Sequence, residues 1–199
     1  MLNVRQNGTR HQGCDESSGW IWHAARVLDE YLALNWDVKG LSIIELGAGT
    51  GWLALQLALR GAKVTATDRA GALPLLIQNI VSNQEHLASD MKELDIEVVD
   101  LEWGDDSTNV VNVLPGKWDL IVGSDIVYLV EHYQALLEMI ARHDFKQCIL
   151  VYEERRPVEE STFIEMARVF GFELDIQTDK INPTTGKPIS ILRMTYIKT

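Results

Sequence analysis

The chain has 199 residues, 46% of them hydrophobic, and a formal net charge of -11. That length and apolar share suit one domain with a full core, and they exclude a small scaffold that needs disulfides or metals to stay folded. The acidity and the lack of a long Lys/Arg run oppose nonspecific binding to nucleic acid and favour a cationic or lysine-bearing partner.

Two cysteines, Cys14 and Cys148, cannot form a disulfide framework, and Cys148 lies within the apolar run "CILVY". Both are expected as reduced thiols. No stretch reaches 18 uninterrupted apolar residues, and "MLNVRQNGTRHQG" has no apolar segment of the secretory kind. The expectation is a cytoplasmic protein, with the nucleus as a second compartment, that neither crosses nor binds a membrane.

The turn-rich start "QNGTRHQGCDESSG" leads into "WIWHAARVLDEYLAL", whose apolar spacing predicts a helix over Trp20–Leu34 capped by Ser17 or Ser18. A first core strand follows at "LSIIEL". Strand-like runs then recur at "VTATD", "IEVVDL", "WDLIVGS", "QCILVY", "FELDIQ" and "ISILRMTYI", with helical patterns at "WLALQLALRGA" and over Leu73–Asn83, Val130–Arg142 and Glu159–Phe170. Such alternation predicts an α/β fold: a seven-stranded, Rossmann-like sheet, mostly parallel, with helices on both faces. "TDKINPTTGKP" has no helical pattern, so the last two strands are expected to form an antiparallel hairpin at the sheet edge. No repeat or linker divides the chain. Residues 1–199 read as a single domain, with an N-terminal segment and helix over 1–40 and the core over 41–199.

The stretch "IIELGAGTGWLALQLALRGAKVTATD", Ile43 to Asp68, bears on function. A dinucleotide fingerprint, G-x-G-x-x-G, would place a glycine at position 52, where the helix must lie close to the sheet. Gly47 and Gly49 fit, but position 52 is Trp52 and the third glycine, Gly51, comes one place early. Asp68 ends the next strand 21 residues after Gly47, placed to accept both hydroxyls of a ribose. The unit suits a nucleoside with a short polar tail better than a bridging pyrophosphate. S-adenosylmethionine meets that description, while an NAD(P)-dependent oxidoreductase is the alternative cofactor class.

With "ELGAGTG", "VTATD" and "WDLIVGSDIVY" together, the chain resembles the seven-β-strand methyltransferases. More narrowly, "GWIWHAARVL", "LEWG" and "DIVY" resemble motifs of the methyltransferase 16 family of protein-lysine methyltransferases, in matching order from Gly19 to about Tyr152. "NVRQ" is similar to the end of the family's N-terminal β-hairpin, little of which stands in this sequence. The resemblance implies S-adenosylmethionine as cofactor, held by Trp22, Gly47, Ala48, Gly49, Asp68, Trp103 and Ser124. It implies a protein substrate bearing a target lysine, of the chaperone or translation-factor kind, with no nucleic acid. Small residues at 47–49 would let backbone N–H groups approach the methionine tail. Trp103 would lie against adenine and Trp22 would shield the methionyl end, core packing being the alternative for each.

The same resemblance assigns Asp125 and Tyr128 to catalysis. Asp125, at the end of the fourth strand where open α/β sheets place ligands, would orient the lysine amine, and Tyr128 would wall its channel or simply pack on the sheet. A Pro-Pro-aromatic clamp for a flipped base is absent at positions 126–128, where the residues are Ile126, Val127 and Tyr128, which disfavours a base methyltransferase. A small-molecule methyltransferase and a non-enzymatic binding module of the same fold remain open. His11, His23, His86, His132 and His143 show no metal-ligand spacing, so no metal is expected. "YEERRP" ends the fifth strand with charge; a solvated loop is the default reading, with Glu153 or Arg155 reaching the active-site rim as the alternative.

Overall fold

The structure, a computed structural model, describes residues 2–6, 18–88, 93–104 and 117–196. Its seven strands are β1 (Ser42–Leu46), β2 (Lys63–Asp68), β3 (Ile96–Asp100), β4 (Lys117–Ser124), β5 (Asp144–Glu153), β6 (Phe172–Ile181) and β7 (Pro188–Tyr196). They form one sheet in the order β3-β2-β1-β4-β5-β7-β6. The first five are parallel; β7 runs antiparallel to β5 and to β6. The described helices are α1 (His23–Asn35), α2 (Trp52–Leu59), α3 (Leu73–Ala88), α4 (Tyr133–Ala141) and α5 (Pro157–Val169).

The central strands are near-continuous apolar runs because both faces are covered. Alternation along them sorts the core into two layers. Ile43, Leu120, Val122, Ile149 and Val151 pack with α1, α2 and α3, whereas Ile44, Ile121, Cys148 and Leu150 pack with α4 and α5. All nine of these side chains are buried. Cys148 is buried as a free thiol, and burial pushes its ionisation far up. Cys14 lies outside the described residues.

Several boundaries differ from the sequence expectation. Helix α1 begins at His23, three residues late, and its N-cap is Trp22 with no side-chain cap. Ser18 therefore does not cap it, and Ser17 lies outside the described residues. Residues 20–22 stay out of the helix because the Ile21 N–H is held by Gln6 Oε1 at 2.9 Å and Trp22 is extended. Pro157 opens α5 at its first turn, a position where the missing N–H has no helical partner in any case. Strand β6 continues to Ile181, so the hairpin connection spans only 182–187.

The N-terminal segment 2–6 is not a strand of a hairpin. Its backbone is instead held by two buried amides one turn apart on α3. Asn83 Oδ1 accepts the Asn3 N–H at 2.8 Å while Asn83 Nδ2 donates to the Asn3 carbonyl at 2.8 Å. Asn79 repeats the pattern on Arg5 at 2.9 and 3.0 Å, and also donates to the Thr50 carbonyl at 2.9 Å. A buried backbone group left without a partner costs about 1–3 kcal/mol. Asn79→Ala is therefore expected to lower the unfolding free energy by about 1–3 kcal/mol in urea titration and to speed amide exchange at Arg5.

Candidate active site

Strand order reverses at β1, whose neighbours β2 and β4 lead to opposite ends of the sheet. Open α/β sheets place ligands outside the carboxyl ends of strands at such a switch point. A cleft of about 330 Å³ opens there, and all nine residues singled out from the sequence line it. Tertiary structure thus brings Trp22, the turn 47–49, Asp68, Trp103 and the segment Ser124–Tyr128 to one site.

The turn after β1 is closed by Asp68. Its Oδ2 accepts the Gly49 N–H and its Oδ1 accepts the Arg69 N–H, each at 2.8 Å. Burial pushes the Asp68 carboxyl above its ordinary range, opposed by these two donors. The Ala48 N–H donates to the Thr67 carbonyl at 2.9 Å. The N–H groups of Ala48 and Gly49 are thus committed inside the protein, which corrects their expected role as donors to a ligand. Glycine is required at 47 and 49 for a different reason. Both have positive φ, 67° and 54°, and a Cβ would stand 2.7 Å from Ile126 Cγ2 at one and 3.0 Å from the Ser18 carbonyl oxygen at the other. Asp68 retains one acceptor position on each oxygen.

Glu45, at the floor of the cleft, has its Oε2 buried without a hydrogen-bond partner among the described residues. Burial, reinforced by the charge of Asp68 and opposed by the Ala54 N–H, pushes its pKa up to about 8. Sequence reasoning placed Glu45 two residues before the glycine turn and gave it no role. Its burial follows from β1 being central, which a single sequence does not reveal.

On the other side of β1, Asp125 leaves β4 with φ 55°, a left-handed backbone that a non-glycine residue rarely takes. Its N–H donates to the Val151 carbonyl at 2.8 Å. Asp125 Oδ1 accepts the Glu153 N–H at 3.0 Å, and Arg155 grips the carboxylate by two hydrogen bonds of 3.1 Å, Nη1 to Oδ1 and Nη2 to Oδ2. Burial raises the Asp125 carboxyl above its ordinary range, with Arg155 opposing that rise. The Arg155 guanidinium also lies 5.0 Å from the centre of the Trp22 ring.

A family model described as lysine methyltransferase matches residues 5–170. The chain belongs to this family of lysine methyltransferases. Within it, the chain is 41% identical to protein N-lysine methyltransferase METTL21A of Danio rerio over 60% of its own length and 52% of that protein. It is 38% identical to EEF1A lysine methyltransferase 3 of Mus musculus over 68% of its length and 53% of that protein. The chain therefore spans about half the length of these two relatives. Among solved structures, magnesium protoporphyrin IX methyltransferase of Synechocystis, with S-adenosylmethionine bound, superimposes with a TM-score of 0.62 at 18% identity, covering 87% of this chain and 78% of that one. At that identity the likeness concerns the fold.

The family match covers both Asp125 and the segment that sequence reasoning read as a solvated loop. The default of a solvated loop is corrected at two residues, and the expectation that they reach the site is met: Glu153 is the buried last residue of β5, Arg155 turns inward onto Asp125, and both line the cleft. Glu153 is held by Asn182 Nδ2 at 2.7 Å and Thr185 Oγ1 at 2.8 Å, so the β6–β7 turn supports the site. Trp20 and Trp52 line the cleft as well, Trp52 under the Arg26 guanidinium at 5.3 Å.

The Glu45 shift has a signed consequence. A carboxyl with folded pKa about 8 and ordinary value 4.5 is protonated in the folded chain while the unfolded chain has lost that proton. Stability is then greatest below 4.5 for this group and is lost as pH rises towards about 8. Glu45→Gln removes the titration, so between pH 5 and 8 the variant's thermal stability should fall less than wild type's, by on the order of a few kcal/mol in scanning calorimetry. Parallel curves for the two proteins would show that Glu45 is ionised throughout.

Proposed function

We propose that the protein transfers a methyl group from S-adenosylmethionine to the side-chain amine of a lysine on a protein substrate. The observation that carries this reading is the placement of two carboxylates, Asp68 and Asp125, at strand ends on either side of β1 in one cleft. The residues present suit the cofactor. Asp68 has two acceptor positions for two ribose hydroxyls, the half-buried Trp103 offers a face for adenine, and the unpartnered Glu45 Oε2 suits a cationic group. Gly47 keeps the wall beside Trp103 and Ile126 low.

When bound, S-adenosylmethionine supplies a methyl carbon activated by a sulfonium, and its transfer is an in-line displacement that rewards alignment. Asp125 orients the acceptor nitrogen, while Trp22 and Tyr128 wall the approach and keep water from it. The acceptor must be neutral. An ordinary lysine, of pKa about 10.4, is neutral in roughly one molecule in a few thousand at pH 7. One matched relative is named for lysine methylation of EEF1A, which supports a translation factor as the protein substrate.

Loss of the ribose acceptors in Asp68→Ala should weaken S-adenosylmethionine binding by about 2 kcal/mol or more, roughly thirtyfold, in calorimetric titration. Unchanged affinity in a folded variant would place the nucleoside elsewhere. Asp125→Ala should instead leave cofactor affinity within a few-fold and lower labelled methyl transfer to lysate proteins at least a hundredfold, on the order of 3 kcal/mol of transition-state stabilisation. Transfer at the wild-type rate would remove Asp125 from the acceptor site.

A further inference from the structure

We propose that Arg155, acting through Asp125, makes the acceptor site select the neutral amine of the incoming lysine over its ammonium form. The inference rests on the lysine-transfer reading above. A carboxylate facing an open channel stabilises a cation, which is the wrong form for attack because an ammonium nitrogen has no lone pair. Asp125 is not such a carboxylate. Both its oxygens are held by one guanidinium, a cationic group.

The lone pairs of Asp125 can be assigned. A carboxylate has about four acceptor positions. Oδ1 receives the Glu153 N–H and Arg155 Nη1, and Oδ2 receives Arg155 Nη2. One position remains, on Oδ2, enough to orient one N–H of an amine. Arg155 offsets the charge of Asp125 while its Nη2 also touches Glu153 at 3.4 Å, and a second cation arriving beside Asp125 meets the guanidinium within a few ångströms. Trp22 completes the device: its ring, 5.0 Å from the guanidinium, steadies Arg155 beside the channel by a cation–π contact. Arg155 is thus a positioning residue, and Trp22 acts on the acceptor side as well as on the cofactor side.

Other charged groups surround the pair from each neighbouring element. Glu153 on β5 touches Arg155 at 3.4 Å and, against burial, hydrogen bonds from Thr185 and Asn182 hold its carboxyl below the ordinary range, so it adds a negative charge beside the guanidinium. Glu160 on α5 accepts the Arg155 and Arg156 N–H groups at 2.7 and 2.9 Å, so its Oε1 is occupied. Glu45 on β1 and His132 before α4 line the same cleft, and Lys187 in the β6–β7 turn acts on Glu153. These groups are common to the variants compared below. A His132→Gln background controls for the one histidine among them.

The test is the pH profile of single-turnover transfer from labelled S-adenosylmethionine to lysines of heat-treated lysate protein, between about pH 6.5 and 9.5, for wild type, Arg155→Met and Arg155→Lys. Arg155→Met should move the rising limb up by about one pH unit or more, with transfer down about tenfold at pH 7 and recovering at high pH. Arg155→Lys, which keeps charge but not the fork, should lose amplitude with the limb in place. S-adenosylhomocysteine affinity within a few-fold of wild type establishes that each variant retains its cofactor site. A second measurement needs no variant: with S-adenosylhomocysteine bound, wild-type affinity for n-butylamine, followed by NMR at the Trp22 indole, should rise at least about tenfold from pH 7 to 9 as the neutral amine accumulates. Uniform loss across pH in Arg155→Met, or an n-butylamine affinity that does not rise, overturns the inference. Wild-type protein that labels no lysine takes the lysine-transfer reading down and the inference with it, whereas wild-type transfer with an unmoved limb in Arg155→Met removes the inference alone.

Discussion

The hydrogen bond from the Gly49 N–H to Asp68 Oδ2 ties the turn after β1 to the end of β2. That closure fixes the glycine turn and the Asp68 carboxylate in one piece. It requires a left-handed backbone at Gly49 against the Ser18 carbonyl, so the segment entering α1 is packed onto the turn as well. One carboxylate thereby organises three pieces of chain and still keeps acceptor positions open. Burial works against its charge, and the two N–H donors compensate in part. The nearby Glu45 has no such compensation at Oε2, and burial together with the Asp68 charge pushes its pKa up to about 8.

On the acceptor side the constraint is of the opposite kind. Asp125 is held in a rare backbone conformation by its bond to Val151 and by the N–H of Glu153, and it carries its own counter-ion. Removing Arg155 would leave the buried Asp125 carboxylate without its counter-ion, whereas Arg155 itself is partly exposed to the cleft. The pair is therefore a fixed feature of the site. Its support reaches beyond the family-matched range: Asn182 and Thr185, in the β6–β7 turn, hold the Glu153 carboxylate that lies under Arg155. The edge hairpin thus supports a residue of the cleft, and its Asn182 and Thr185 do not themselves line it.

The N-terminal segment bears on the cofactor side through two side-chain amides. Asn79 binds the backbone at Arg5 and the carbonyl of Thr50 in the glycine turn, and Gln6 holds the N–H of Ile21 just ahead of Trp22. Order in residues 2–6 is in this way coupled to both walls of the cleft. A β-hairpin is not needed for that coupling, since paired Asn side chains on α3 supply the ladder that a neighbouring strand would otherwise supply.

The local features of this protein were legible in its sequence. Near-continuous apolar runs in β1, β4 and β5, helical spacing between them, the glycine turn, and Asp68 and Asp125 just where strand runs stop are all local patterns of the chain. The order β3-β2-β1-β4-β5-β7-β6, which sets Asp68 and Asp125 on either side of β1, is a matter of strand pairing between distant segments. Tertiary structure also decided the charge states. Glu45 carries no role in the sequence, and its pKa is pushed up to about 8 because the centre of the sheet takes its water away and Asp68 lies near. Arg155 reads as part of a charged loop, and only the fold turns it onto a carboxylate 30 positions earlier in the chain. Periodicity reports which face a residue takes, whereas solvation and charge pairing depend on which distant residues arrive at that face.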